Sequence, residues 1–140
     1  MSVTALLDRA AITDLITGLG RLLDESRFED VHLVFDTSAV LPGPRGTFTG
    51  LSEIRAFFEA GADPAVRTQH LYTDVLIDVE GDQATASANA VTAFFPAGLP
   101  GPAPAHRLVG LTSRFAARRG PEGWRLTRVE VTPLWQQPAP

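Results

Sequence analysis

The second half of the chain constrains the fold most. Four long stretches, about Arg67–Glu80, Gln83–Phe95, His106–Arg118 and Trp124–Trp135, are rich in β-branched and aromatic residues, and Gly81-Asp82 and Gly120-Pro121-Glu122-Gly123 separate two of the pairs. Runs of this kind bounded by turn residues are strand signals, and short Gly-containing breaks join antiparallel neighbours. Successive long strands have an apolar face that another layer must cover, and only the chain before Arg67 is left to do it. Within the first strand the alternation slips: His70 and Tyr72 share one parity, whereas Val75, Ile77 and Val79 share the other. A bulge near Thr73-Asp74 brings both sets to one face.

The covering layer reads as three helices. From Thr4 to Glu25 apolar residues recur at helical spacing (Ile12, Leu15, Ile16, Leu19, Leu22, Leu23), which predicts a first helix with one broad buried face. Asp14, Arg21 and Glu25 fall on the solvent side, and Thr13, Thr17, Gly20 and Asp24 form a polar stripe on the flank, where a cavity wall would lie. Asp24 faces the negative end of the helix dipole, an unfavourable placement by roughly 0.3–1 kcal/mol. It is either a solvated helix end or a carboxylate held there for a purpose. Ser26 and Glu29 have capping-box spacing, which predicts a second, short helix burying Phe28, Val31 and Phe35, with His32 at the surface beside it. Val40-Leu41 and Thr47-Phe48-Thr49 read as a short strand and its return around a Pro42-Gly43-Pro44 turn. Ser52 is placed to cap a third helix over about Glu53–Ala60, with Ile54, Phe57 and Phe58 inward and Gly61 as its stop.

The expected fold class is therefore α+β: a cone-shaped, barrel-like, strongly curved and mainly antiparallel sheet with three N-terminal helices on its concave side. The convex face, with small residues such as Thr85, Ser87 and Thr112, has no helix left to cover it, so a homodimer through that face is expected. The connection Pro96–Ala105, rich in Pro, Gly and Ala, is either a cover over a pocket mouth or an inert surface loop.

Composition bounds the partners. With 140 residues, 44% of them hydrophobic, the chain suits one domain spanning 1–140. A net charge of −4 provides no basic face for phosphates, which argues against nucleic acid. There is no Cys, and His32, His70 and His106 show no HxxxH or HxH spacing, so no metal site and no cofactor are expected. The P-loop, GxGxxG and GxSxG motifs are absent, which removes nucleotide-binding and α/β-hydrolase readings. Met1 to Ile12 does not read as a signal peptide, and no stretch approaches the roughly 18 apolar residues of a membrane span. A cytoplasmic protein without membrane contact is the expectation.

Among the polar residues, His70 is the side chain best able to move protons at neutral pH. A lone histidine on a strand is also commonly a surface or satisfied core residue, so its context decides. Asp24, at the end of the first helix, is a carboxylate placed to reach and orient it.

Several stretches together resemble the nuclear transport factor two-like superfamily, and within it the SnoaL-like polyketide cyclase branch. They are Leu22-Leu23-Asp24-Glu25 before Phe28-Glu29-Asp30, then Arg67-Thr68-Gln69-His70, Ile77-Asp78-Val79-Glu80-Gly81-Asp82, Gly123-Trp124-Arg125-Leu126 and Trp135. The resemblance covers essentially the whole chain. Locally, Asp24 and Arg67-Thr68-Gln69-His70 are similar to the scytalone dehydratase motifs, which implies that Asp24 orients His70 and that His70 is a general acid and base. The dehydratase tyrosines that polarise a carbonyl fall here at Leu23 and Gly43, its second histidine near Phe94, and its polar residues on the penultimate strand near Val109 and Leu111. Scytalone dehydration itself is thus not expected.

The expected pocket is more apolar, with Phe28, Phe35, Phe58, Tyr72, Phe94, Leu111 and Trp135 as candidate substrate-binding walls. The resemblance implies a small cofactor-independent enzyme, cyclase-, dehydratase- or isomerase-like. It would act on a hydrophobic polycyclic or polyketide-like intermediate of secondary metabolism, by cyclisation, dehydration, isomerisation or epoxide-opening cyclisation. The alternative is a non-catalytic hydrophobic ligand-binding or dimerisation domain.

Overall fold

A computed structural model describes residues 1–139. The first helix, α1 (Val3–Asp24), is capped by Ser2, whose hydroxyl accepts the Ala5 amide at 3.1 Å. It buries Ile12, Leu15, Ile16, Leu19 and Leu22. Its end corrects one expectation. Ser26 caps no second helix; it takes a left-handed backbone (φ 52°) just beyond α1. The Arg27 amide then reaches back to the Leu22 carbonyl at 2.9 Å and the Ser26 amide to the Leu23 carbonyl at 3.3 Å, the Schellman closure of a helix C-terminus. Asp24 is therefore the last helical residue, fixed by the motif that follows it.

The chain continues through a 3₁₀ turn, Phe28–Asp30, into a single-turn helix, α2 (Val31–Val34), with neither start capped by a side chain. Phe35, expected inside a helix, instead opens strand β1 (Phe35–Gly43). This strand runs through Pro42 because Pro42 pairs only with Thr47 of β2 (Gly46–Thr49), at a point where the other edge has no recorded partner. The third helix, α3 (Gly50–Gly61), starts earlier than the Ser52 signal: Thr49 precedes it, and Glu53 reaches back to accept the Thr49 amide at 2.6 Å.

Strands β3 (Val66–Glu80), β4 (Gln83–Pro96), β5 (Arg107–Gly120) and β6 (Gly123–Gln137) form antiparallel ladders in succession. The β1 strand joins β6 in parallel, which gives one six-stranded, mainly antiparallel sheet in the order β2-β1-β6-β5-β4-β3. The curved sheet stays open, with β2 and β3 as its edges, so the expected barrel does not close. The β3 register shifts between Thr73 and Leu76, where Asp74 has φ 54°, and the bulge places His70, Tyr72, Val75, Ile77 and Val79 on one partly buried face.

The core lies between that face and the helices, around Ile12, Ile16, Leu22, Phe35, Ile54 and Leu126. Where α1 crosses β3 it carries Gly20, at which an added Cβ would lie 3.0 Å from the Tyr72 ring and 3.3 Å from the His70 Cβ. The glycine lets helix and strand approach closely at the position where His70 sits. On the opposite face Thr85, Ser87 and Leu76 line a shallow groove with Arg114 and Glu130, and Leu71 and Leu76 are exposed.

Candidate active site

Asp24 joins α1 to β3. Its carboxylate accepts three hydrogen bonds from β3: Thr68 Oγ1 at 3.0 Å, the His70 backbone amide at 2.9 Å, and His70 Nδ1 at 2.5 Å. Both side chains are largely buried, 15% exposed for His70 and 17% for Asp24. The three donors offset the unfavourable position at the helix C-terminus and explain how the carboxylate is kept there. Because an ionised carboxylate only accepts, Nδ1 carries the proton in the neutral ring. Nε2 is left with its lone pair and with no protein partner among the described residues.

His70 borders two adjoining chambers. The outer one, about 670 Å³, is lined by Asp24, Phe28, Phe57, Phe58, Thr68, Phe94, Val109 and Leu111, with Arg45, Arg67, His106 and Arg107 at its polar parts. The inner one, about 300 Å³, is lined by Leu19, Phe35, Leu41, Phe48, Tyr72, Ser113, Val129 and Val131. Leu23, Arg45, Phe57, Phe58, His70 and Leu111 border both. Such volumes are those of small-molecule sites. Phe28, Phe35, Phe57 and Phe58 meet as a tilted aromatic cluster with centroids about 6 Å apart, which gives the chambers rigid apolar walls.

Two hydroxyls stand beside the histidine. The Tyr72 ring stacks near the imidazole at 6.4 Å between centroids. Burial and then the Asp24 charge push the Tyr72 phenol up to about 12, so it stays a neutral hydrogen-bond donor at physiological pH. Thr92 lies directly across from His70 in the β3–β4 ladder, is 4% exposed, and its Oγ1 has no hydrogen-bond partner among the described residues. A buried hydroxyl without a partner at a cavity wall is a group that a ligand can satisfy. Among the described residues no three His, Asp or Glu side chains converge as metal ligands.

Six of the seven expected wall residues border the chambers: Phe28 and Phe94 the outer one, Phe35 and Tyr72 the inner one, and Phe58 and Leu111 both. Trp135 does not. The β5–β6 register shifts between Gly110 and Leu111, which pairs Trp135 with Gly110 and turns the ring to the opposite sheet face. There it lies over Gly110, close enough that an added Cβ would be 2.0 Å from ring atoms, and it is 48% exposed. No residue of the Pro96–Ala105 connection borders either chamber, so the loop does not cover them. Sequence reasoning did not assign Thr92, Arg45 or Arg107 to the site. The β3–β4 register marks Thr92, and the Pro-Gly-Pro turn marks Arg45, only once the pairing is known.

The SnoaL-like domain model matches residues 4–130. The chain belongs to the SnoaL-like family. None of the curated proteins matches it. Solved structures share its SnoaL-like architecture. The Kfla4162 protein from Kribbella flavida is 26% identical with TM-score 0.82, covering 96% of this chain and 95% of that one. An NTF2-like protein with a cystatin-like fold from Novosphingobium aromaticivorans is 27% identical with TM-score 0.74, covering 94% and 85%. The hexachlorocyclohexane dehydrochlorinase LinA-type3 from Novosphingobium barchaimii is 16% identical with TM-score 0.80, covering 96% and 92%. At that identity the last likeness is one of fold. No helix of this SnoaL-like chain is long and apolar enough to cross a membrane among the described residues.

Proposed function

We propose that the protein is a small enzyme that works by acid/base catalysis on a hydrophobic, polycyclic or polyketide-like molecule, without a cofactor. The observation that carries this reading is the Asp24–His70 contact at the boundary of two largely apolar chambers. Asp24 holds the imidazole in the tautomer that leaves Nε2 basic, and Nε2 takes a proton from a carbon activated by a neighbouring carbonyl. The electron pair of that C–H bond moves into the carbonyl, giving an enolate that Tyr72, as a neutral phenol, is suited to stabilise by donating a hydrogen bond. Return of the proton to another carbon isomerises the substrate. Transfer to a departing β-oxygen dehydrates it, and attack of the enolate carbon on an internal electrophile cyclises it. All three outcomes use the same first step, so the pair does not choose among them; the shape of the bound molecule does.

A positioned acid/base contributes about 10²–10⁴-fold. The test follows deuterium incorporation into the α-carbons of 2-tetralone, an apolar bicyclic ketone, by NMR in D₂O. Wild-type protein should exchange them faster than buffer, and His70→Ala should lose about 10²-fold or more of that excess. Equal exchange by wild type and His70→Ala would overturn the acid/base assignment and leave the chambers as a container that binds without turnover.

A further inference from the structure

Five of the twelve arginines pair with carboxylates among the described residues; of the other seven, Arg9 and Arg125 bond backbone carbonyls and three border one chamber. Arg27, Arg55, Arg118, Arg119 and Arg128 each pair with a carboxylate. Arg45, Arg67 and Arg107 have no carboxylate partner among the described residues, and all three border the outer chamber. Arg45 sits at the tip of the Pro44-Arg45 turn between β1 and β2 and borders both chambers. The Arg107 guanidinium stacks 5.1 Å above the Phe94 ring and has one neutral partner, Gln136 Oε1 at 3.4 Å. Arg67 stacks 5.3 Å above Phe95. The acids at this chamber are already committed, Asp24 to His70 and Thr68, and Asp63 to the Ala65 amide at 2.9 Å. A protein of net charge −4 thus gathers three guanidinium groups without carboxylate partners among the described residues around a chamber that His70 borders.

We infer that the physiological substrate carries a carboxylate, which Arg45 and Arg107 hold at the mouth while its apolar body lies against Phe28, Phe57, Phe58 and Phe94. The inference rests on the acid/base reading above and names the substrate class of that site. Guanidinium offers paired donors that match a carboxylate, and stacking on Phe94 holds the Arg107 plane while leaving its edge open. The surrounding apolar walls strengthen the attraction relative to open water and focus it at the mouth. An anchored carboxylate also fixes the orientation of the body, so that one face of the molecule meets the imidazole. Thr92, across from His70, then has a substrate polar atom to pair with.

The experiment compares 2-naphthoate with its neutral methyl ester, by calorimetry at low salt, on wild type, Arg45→Met/Arg107→Met and His70→Ala. The wild type should bind the acid at least tenfold more tightly than the ester, and the double arginine variant should bring the ratio to near one while ester binding changes less than threefold. Binding of the ester reports an intact chamber in each variant. His70→Ala should keep the preference for the acid, so loss of exchange activity and loss of charge preference are separate readouts. A wild type that binds the two ligands equally, that binds neither, or whose preference survives both arginine substitutions overturns the inference. Equal ketone exchange by wild type and His70→Ala would sink the catalytic reading and leave the charge preference standing.

Discussion

Two carboxylates near the two ends of α1, buried Asp8 and partly buried Asp24, have partners of different kinds. Asp8 accepts Arg119 Nη1 at 2.6 Å, Arg119 Nη2 at 3.2 Å and Trp124 Nε1 at 3.1 Å, tying the first turns of the helix to the β5–β6 hairpin. Asp24 accepts from Thr68 and from His70, whose ring lines the chambers. The hydrogen bond from Arg119, then that from Trp124, hold the Asp8 carboxyl below the usual carboxylate range. A carboxylate locked to an arginine cannot take part in proton movement, because guanidinium does not deprotonate in proteins. A carboxylate bonded to an imidazole is suited to it, because an imidazole ring nitrogen can both take and give up a proton. The helix is thus fastened to the β5–β6 hairpin near one end and, at the other, to the histidine proposed as the acid/base.

Substitution at each end breaks that contrast most sharply. His70→Ala and Asp24→Asn should each cut turnover, Asp24→Asn less severely because the amide keeps one acceptor oxygen for Nδ1. Groups that act as one unit are not additive, so the double variant should be little worse than His70→Ala alone, where independent groups would multiply. Asp8→Asn should do the reverse, lowering the thermal midpoint while leaving turnover of the folded protein near wild type. The measurement is initial rate and thermal midpoint on wild type and these four variants. Loss of turnover in Asp8→Asn at a temperature where it is folded would end the division of labour between the two carboxylates.

The two ends were unequally legible in the sequence. Asp24 and His70 could be paired because a family resemblance joined two short motifs, and the polar flank of α1 agreed with it. The β3 bulge was legible because its parity slip is written in Val75, Ile77 and Val79. The Asp8–Arg119–Trp124 cluster was not, since nothing local marks residues more than a hundred positions apart as neighbours. The same limit displaced Trp135: counted by alternation from Val129, Val131 and Pro133 it faces the chambers, and the unseen β5–β6 shift turns it out. Ser26 misled for a different reason. Its spacing to Glu29 fits a helix start, but the same residue can end a helix, and the Schellman closure is decided by the backbone and not by side-chain type.

Acid should weaken the fold through its structural carboxylates. Hydrogen bonds from the Ser38 hydroxyl and amide, together with Arg118, hold Asp36 down to about 2 against burial that pushes it up. A carboxylate whose folded pKa lies below its unfolded value stabilises the fold above the unfolded value, and that contribution is lost as pH falls through the folded one. For Asp36 the window runs from about pH 4 down to about pH 2. The Arg118 side chain is 51% exposed, so solvent screening limits the contribution, which we place at about 1–2 kcal/mol. Asp8 shifts in the same direction and reinforces the same limb. Thermal midpoints measured from pH 6 to pH 2 should fall across this window, and Asp36→Asn should start lower at pH 6 and fall less. A parallel fall in wild type and variant would remove Asp36 from the account.

The smallest expected effect lies next to Asp24. Ser26 holds φ 52° with no side-chain hydrogen bond among the described residues, a conformation that costs a residue with a Cβ about 1 kcal/mol more than glycine. Glycine loses more chain entropy on folding, which works against the gain. Ser26→Gly should therefore stabilise the protein by about 0.5 kcal/mol or less, read as a small rise in the denaturant midpoint at constant slope. Its value lies in what it isolates, because the Schellman bonds from Arg27 to Leu22 and from Ser26 to Leu23 fix the turn in which Asp24 stands. If that closure positions the carboxylate, the glycine variant should keep wild-type turnover, whereas Ser26→Val, a β-branched residue forced to positive φ, should lose both stability and turnover. Equal turnover in the two variants would mean that the three hydrogen bonds from β3 hold Asp24 without help from the end of its own helix.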